Sequence, residues 1–220
     1  MSDENYQQVI ARANQWLDEP IGDIATTAKH GQEILANLQA LKPQDPAAIG
    51  PLIGQIGGAV KRYALIEKVD WVELSDGRLA LGHRPSKQRL LDLCLLGASH
   101  ILTLLSGSEG ALEVKKMVEV SRLTSIWFPM ESGKPPADDR RPDAIVLFDQ
   151  LEALLDGGAS IYVHCSAGIH RTGMIANGLL RHLGHSQIEA NKILLALRQD
   201  TADGVGDERK TWGDQFYREE

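Results

Sequence analysis

The segment His164-Cys165-Ser166-Ala167-Gly168-Ile169-His170-Arg171-Thr172-Gly173 constrains this chain more than any other. An apolar run from Ala159 to Val163 precedes it and reads as a buried strand, while Ile175 to Leu183 after it reads as a helix. The segment therefore forms a loop at the carboxyl end of a strand, over a helix N-terminus, where an α/β protein holds anions. A cysteine and an arginine stand with five residues between them, a glycine among the five and a hydroxyl after the arginine. For a chain of this composition that coincidence is roughly a one-in-a-thousand event.

The chemistry needs each of these residue types. A thiol attacks only as thiolate, and a free cysteine near pKa ~8.5 is mostly protonated at neutral pH. Backbone N–H groups of Ser166 to Arg171 turned into the loop, with a helix dipole behind them, favour the anion and lower the Cys165 pKa. The same N–H groups hold the equatorial oxygens of a phosphate, and Arg171 pairs with two of them bidentately, which lysine cannot do. Gly168 permits backbone geometry that other residues resist. The Thr172 hydroxyl can donate to the sulfur when it departs. Attack on a phosphomonoester gives a cysteinyl-phosphate that water later hydrolyses.

This segment resembles the signature loop of the cysteine-based protein tyrosine phosphatases, most of all their compact dual-specificity branch. Rhodanese-like loops, with one residue fewer, fit worse. So do low-molecular-weight phosphatases and arsenate reductases, whose loop lies near the N-terminus. The resemblance implies an α/β fold with a mixed central β-sheet flanked by helices. It implies that Cys165 is the nucleophile, Arg171 the phosphate clamp, Thr172 the partner of the leaving thiolate, and Ser166, Ala167, Gly168, Ile169 and His170 the amide cradle. It further implies hydrolysis of phosphotyrosine, and of phosphoserine and phosphothreonine, on a protein. Two other readings stay open: a phosphatase of phosphoinositides, inositol phosphates or RNA 5′ phosphates, and a phosphate-binding module that has lost turnover.

Such an enzyme also needs a general acid for the leaving oxygen. In the family it is an aspartate in Pro-Asp-x-Gly-x-Pro or a near variant. Here the run is Trp127-Phe128-Pro129-Met130-Glu131-Ser132-Gly133-Lys134-Pro135-Pro136. Glu131, Gly133 and Pro135 match the acid-x-Gly-x-Pro part, with glutamate for aspartate and one extra residue after Pro129. A shorter register puts Ser132 at the acid position, where serine cannot serve, and Asp138 and Asp139 follow closely. Glu131 is the expected acid. Gly82-His83-Arg84-Pro85 resembles the entry segment of the compact enzymes, in which the arginine supports the wall of the site. Asp203 and Asp207 lie near where relatives place the group that orients the hydrolytic water.

The rest of the chain sets bounds. A formal net charge of −7 argues against a general nucleic-acid or anionic-membrane binder. The expected partner is a phosphorylated protein or another phosphomonoester. His83, Arg84, Lys87, Arg89, Lys134, Arg140, Arg141 and Arg171 can still focus an anionic substrate if they share a face. His164, Cys165 and His170 have no second Cys/His cluster at metal spacing, so no metal or cofactor is expected. Cys94, in an apolar helix, reads as core. Two cysteines make no disulfide framework, and a catalytic thiolate suits a reducing cytoplasm. Met1-Ser2-Asp3-Glu4-Asn5 lacks the basic-then-apolar pattern of a signal peptide, which agrees with that location.

Residues 1–66 read as a helical extension, broken at Pro20, at Pro43 to Pro46 and at the glycines 50, 54, 57 and 58. Ile24, Ile34, Leu35, Leu38 and Leu41 form its apolar stripe. Residues 67–220 read as the catalytic domain, with strands alternating with helices from a hairpin at Asp76-Gly77 onward. Ser186-Gln187-Ile188-Glu189 is a capping box opening a helix to about Gln199.

Overall fold

A computed structural model describes residues 3–18 and 24–219 of the chain. They divide into two compact units, Met1–Lys68 and Val69–Glu220.

The first unit contains the helices α1 (Asp3–Asp18), α2 (Ile24–Leu41) and α3 (Pro46–Ala64). Its core is Ala13, Trp16, Ile34, Leu38, Leu41, Ile49, Ile56 and Val60. Trp16 lends its apolar body to that core and donates its indole N–H to the Thr27 carbonyl at 3.1 Å, so no polar atom is left stranded. The expected breaks at the glycines do not occur: α3 runs unbroken through Gly50, Pro51, Gly54, Gly57 and Gly58. Each glycine costs about 1 kcal/mol of helix propensity. Burial of Ile49, Ile56 and Val60, and the Asp45 side chain accepting from the Ala48 N–H at 3.0 Å, outweigh that cost. Pro46 opens α3, where its missing N–H is harmless. The expected break at Pro20 lies outside the described residues.

The second unit is built on a five-stranded sheet in the order β1-β2-β5-β3-β4. The strands are β1 (Val72–Leu74), β2 (Gly77–Gly82), β3 (His100–Thr103), β4 (Thr124–Trp127) and β5 (Ser160–His164). Only the β1–β2 hairpin is antiparallel, with Leu74 opposite Gly77, so the sheet is mixed as expected. The other neighbouring pairs, β2 with β5, β5 with β3, and β3 with β4, are parallel. This arrangement positions the site: Gly82, Thr103, Trp127 and His164 all end their strands on one edge, and the loops that follow gather there.

Every residue of β5 is buried, which is why it reads as a continuous apolar run rather than an alternating one. Ile161 and Val163 face one core and Tyr162 the other. The first core is shared with α6 (Arg141–Asp156), α7 (His170–His182) and α8 (Gln187–Leu197). The second belongs to α4 (Lys87–Leu95) and α5 (Ala111–Val120). The Ser186 capping box starts α8 as expected. Beyond it the chain adds two short helices not read from the sequence, α9 (Gln199–Gly204) and α10 (Asp207–Asp214). Among the described residues no helix is long and apolar enough to cross a membrane.

Candidate active site

The loop between β5 and α7 is held from outside by its carbonyls. The Cys165 carbonyl accepts from His164 Nδ1 at 3.0 Å. Those of Ser166 and Ile169 accept from the amides of Arg84, at 3.1 Å, and Gly173, at 2.8 Å. Arg198 donates to the carbonyls of Ala167, at 3.2 Å, and Gly168, at 2.9 Å, and the Thr201 hydroxyl reaches Gly168 at 2.6 Å. With every carbonyl from Cys165 to Ile169 engaged outward, the N–H groups are left to face inward. Gly168 adopts φ +70°, and a Cβ there would come within 2.3 Å of the Gly82 carbonyl oxygen, so only glycine fits.

Cys165 sits in the floor of this cup with 3% of its surface exposed. Burial alone would raise its pKa. The Thr172 hydroxyl and amide, and the amides of Gly168 and Ile169, outweigh burial and hold the thiol below its ordinary value. The Gly168 amide donates to Sγ at 3.2 Å. The Thr172 hydroxyl is buried with no oxygen or nitrogen partner among the described residues, which leaves it to the sulfur. The α7 dipole adds to this from behind the loop.

His164 is wholly buried at the end of β5. Its Nδ1 faces a carbonyl and so carries the proton, while Nε2 accepts from the Thr103 hydroxyl at 3.0 Å. Desolvation, helped by the charges of Arg84, His83 and Arg171, lowers its pKa to about 4. It is a neutral strut between β3 and the loop.

Arg171 is 7% exposed, and its charge is met by Glu109, which sequence reasoning missed. Nη1 donates to Glu109 Oε2 at 2.5 Å, to the Met130 carbonyl at 2.9 Å and to the Leu104 carbonyl at 3.3 Å. Nη2 donates to Glu109 Oε1 at 2.8 Å. The carboxylate thus covers the Nη1–Nη2 edge, leaving Nε–H and one Nη2–H as the edge for a second bidentate anion. The pairing with Arg171 pulls the Glu109 pKa down to about 2, and Glu109 also accepts from the Ser106 amide at 3.0 Å. Ser106 and Glu109 form a capping box. That pattern is visible in the sequence as Ser-x-x-Glu, but nothing local tells that the carboxylate also faces an arginine 62 residues on.

The segment after β4 lies beside the cup. Its Met130 carbonyl is on Arg171, and Gly133 packs against His170, where an added Cβ would stand 3.2 Å from the His170 Cβ. Glu131, Ser132 and His170 are exposed at the rim. The structure therefore brings the expected Cys165, Gly168, Ile169, Arg171 and Thr172 together. It sets Ser166, Ala167 and His170 on the outer turn, and puts Glu131 on an adjoining loop anchored through its neighbour. Asp138 and Asp139 are exposed in a 3-10 turn leading to α6. Of the expected cations, Arg84 donates to the Glu109 carbonyl at 2.9 Å, whereas Arg141 ties the Gln215 carbonyl at 2.8 Å. Cys94 belongs with the second core and its thiol donates to the Ser121 carbonyl at 3.0 Å, with burial raising its pKa. Cys165 belongs to the first core.

A family model described as "Swiss Army Knife protein, DSP-PTPase phosphatase domain" (PTP-SAK) matches residues 67–210. Among solved structures, Tk-PTP in the active form is similar with a TM-score of 0.53 at 19% identity, over 66% of this chain and 94% of that one. Kinase associated phosphatase (KAP), with its catalytic-site cysteine substituted by serine, gives 0.55 at 15% identity, over 68% and 93%. PTPMT1 gives 0.51 at 16%, over 66% and 92%. At such identities the likeness carries the fold. None of the curated proteins matches the sequence.

Proposed function

The chain belongs to the PTP-SAK family of DSP-PTPase phosphatase domains, and on that premise we propose that it is a protein phosphatase acting through a cysteinyl-phosphate. Its substrate is phosphotyrosine, with phosphoserine and phosphothreonine as further substrates. The observation that carries the reading is the acidified Cys165 thiol at the floor of a cup whose carbonyls all point away.

In this reading the phosphoryl group enters with its equatorial oxygens on the loop amides and the Nε–Nη2 edge of Arg171. The Cys165 Sγ attacks phosphorus as the bond to the ester oxygen breaks, and Glu131 gives that oxygen a proton. Water then attacks the cysteinyl-phosphate, inorganic phosphate leaves, and Thr172 donates to the departing thiolate. Glu109 holds Arg171 turned edge-on before substrate arrives, so little reorganisation is left for the transition state. No step requires a metal. The loop carries no lysine among Ser166, Ala167, Ile169 and His170, which favours a singly phosphorylated side chain over a polyphosphorylated ring. The same reading places the enzyme in the cytoplasm, where a thiolate stays reduced.

The test is steady-state hydrolysis, with EDTA present, of phosphotyrosine, phosphoserine and phosphothreonine peptides beside inositol polyphosphates and a 5′-phosphorylated RNA. Highest kcat/KM on the phosphotyrosine peptide is expected. A clear preference for either non-protein substrate would overturn the assignment.

A further inference from the structure

We infer that Arg209 is a positioning residue that holds the loop carrying Glu131 closed over the catalytic cup, an assignment that rests on the reading of Glu131 as general acid.

The loop enters from the core through the buried Phe128 and Met130, with Arg140 donating to the Pro129 carbonyl at 3.5 Å, and past Met130 its ties among the described residues are few. The loop encloses a cavity of about 160 Å³ whose lining includes Phe128, Pro129, Glu131, Pro135, Pro136 and Arg140, so this part of it is not filled by packed side chains. Its anchors flank Glu131 and Ser132. On one side the Met130 carbonyl is held by Arg171. That tie comes from the residue that must also receive the phosphate.

On the other side Arg209 of α10, half-buried, donates from Nε to the Gly133 carbonyl, 76 residues away in sequence, and from Nη1 to the Val205 carbonyl at 3.0 Å. Val205 belongs to the segment behind the cup. A Cβ on Gly173, in the first turn of α7, would lie 2.8 Å from the Val205 Cβ, and one on Gly204 would lie 2.6 Å from the Ile169 side chain. One guanidinium thus ties the loop to the wall that buttresses the phosphate loop. The planar fork suits two carbonyls on different segments, and a lysine ammonium holds such a pair less well. The close approach of Gly133 to His170 completes the seat.

Loss of this tie should leave nucleophile, clamp and amides intact while the acid is misplaced. The cost should therefore depend on how much protonation the leaving oxygen needs. The experiment compares Arg209→Met, which keeps the aliphatic stem, and Arg209→Lys with wild type. It measures kcat on a phosphoserine peptide and on aryl phosphates of graded leaving-group pKa. Arg209→Met should lose tenfold or more on phosphoserine and less than threefold on the most activated aryl phosphate. The basic limb of its kcat–pH profile should flatten, and Arg209→Lys should recover part of the loss. Equal losses on all substrates, or no loss on any, would overturn the role of Arg209. Misfolding of Arg209→Met, seen by thermal melting, would also count against a purely positional role if Arg209→Lys showed no leaving-group dependence. A Glu131→Gln variant whose loss is the same on every leaving group would instead overturn the reading of Glu131 as the acid, so the two failures are separate.

Discussion

The phosphate loop and the acid loop stand side by side at one edge of the sheet, yet they are built by opposite means. From Cys165 to Ile169 every carbonyl is engaged, the clamp arginine is gripped by a carboxylate and two carbonyls, and the strand beneath is wholly buried. From Glu131 to Pro136 the chain is exposed or half-buried and is tethered to its surroundings chiefly through Met130 and Gly133. The first loop must hold an anion in one geometry and so is over-determined. On the proposed reading the second delivers a proton to the leaving oxygen, which a few strong ties allow and a packed core would not. A mixed job of catalysis is thus divided between a rigid element and a tethered one.

That contrast can be broken by substitution. The largest effect should come from Arg171→Lys, which keeps a charge but loses both bidentate edges: kcat should fall about a thousandfold on every substrate. Glu109→Gln removes the charge that turns Arg171 edge-on, and kcat should fall about a hundredfold with weaker inhibition by inorganic phosphate. In the other loop, Glu131→Gln should cost about a hundredfold on phosphoserine and little on an activated aryl phosphate. A uniform loss there would mean that the two loops do not divide the work as described.

A further effect, on stability rather than on turnover, concerns the rigid side alone. The His164 pKa is lowered from 6.5 to about 4 in the folded protein, so the unfolded chain binds the proton first. Its contribution is intact above pH 6.5 and is lost as the pH falls toward about 4, a change on the order of 3 kcal/mol. Glu109, lowered from 4.5 to about 2, adds a further loss below pH 4.5. Denaturant melts across this range, compared with Glu109→Gln, should show the two contributions in that order. A stability that stays flat from pH 7 to pH 4.5 would refute the burial of a neutral His164.

What the sequence disclosed follows the same division. The phosphate loop was legible because its chemistry is contiguous: nucleophile, glycine, arginine and hydroxyl lie within a few residues between a strand and a helix. The mixed sheet was implied by the resemblance which that loop carries, and the alternation of strands and helices agrees with it. Glu109, Arg198, Thr201 and Arg209 were not legible, because each acts across the fold on a residue at least 30 positions away. Serine at one acid register and glutamate at the other left the second loop ambiguous, and its tethers put Met130, the neighbour of Glu131, on Arg171. The glycines of α3 misled for another reason, since local propensity yields to burial of Ile49, Ile56 and Val60.

The most direct test of the account is a rapid-quench search for phosphate bound covalently to the protein. Wild-type enzyme mixed with an aryl phosphate, quenched in acid and digested should yield a peptide carrying one phosphoryl group on Cys165. Cys165→Ser, folded and reduced, should yield none and should not turn over. Turnover in the wild type without any phosphorylated Cys165 peptide, or undiminished turnover in Cys165→Ser, would contradict the central claim.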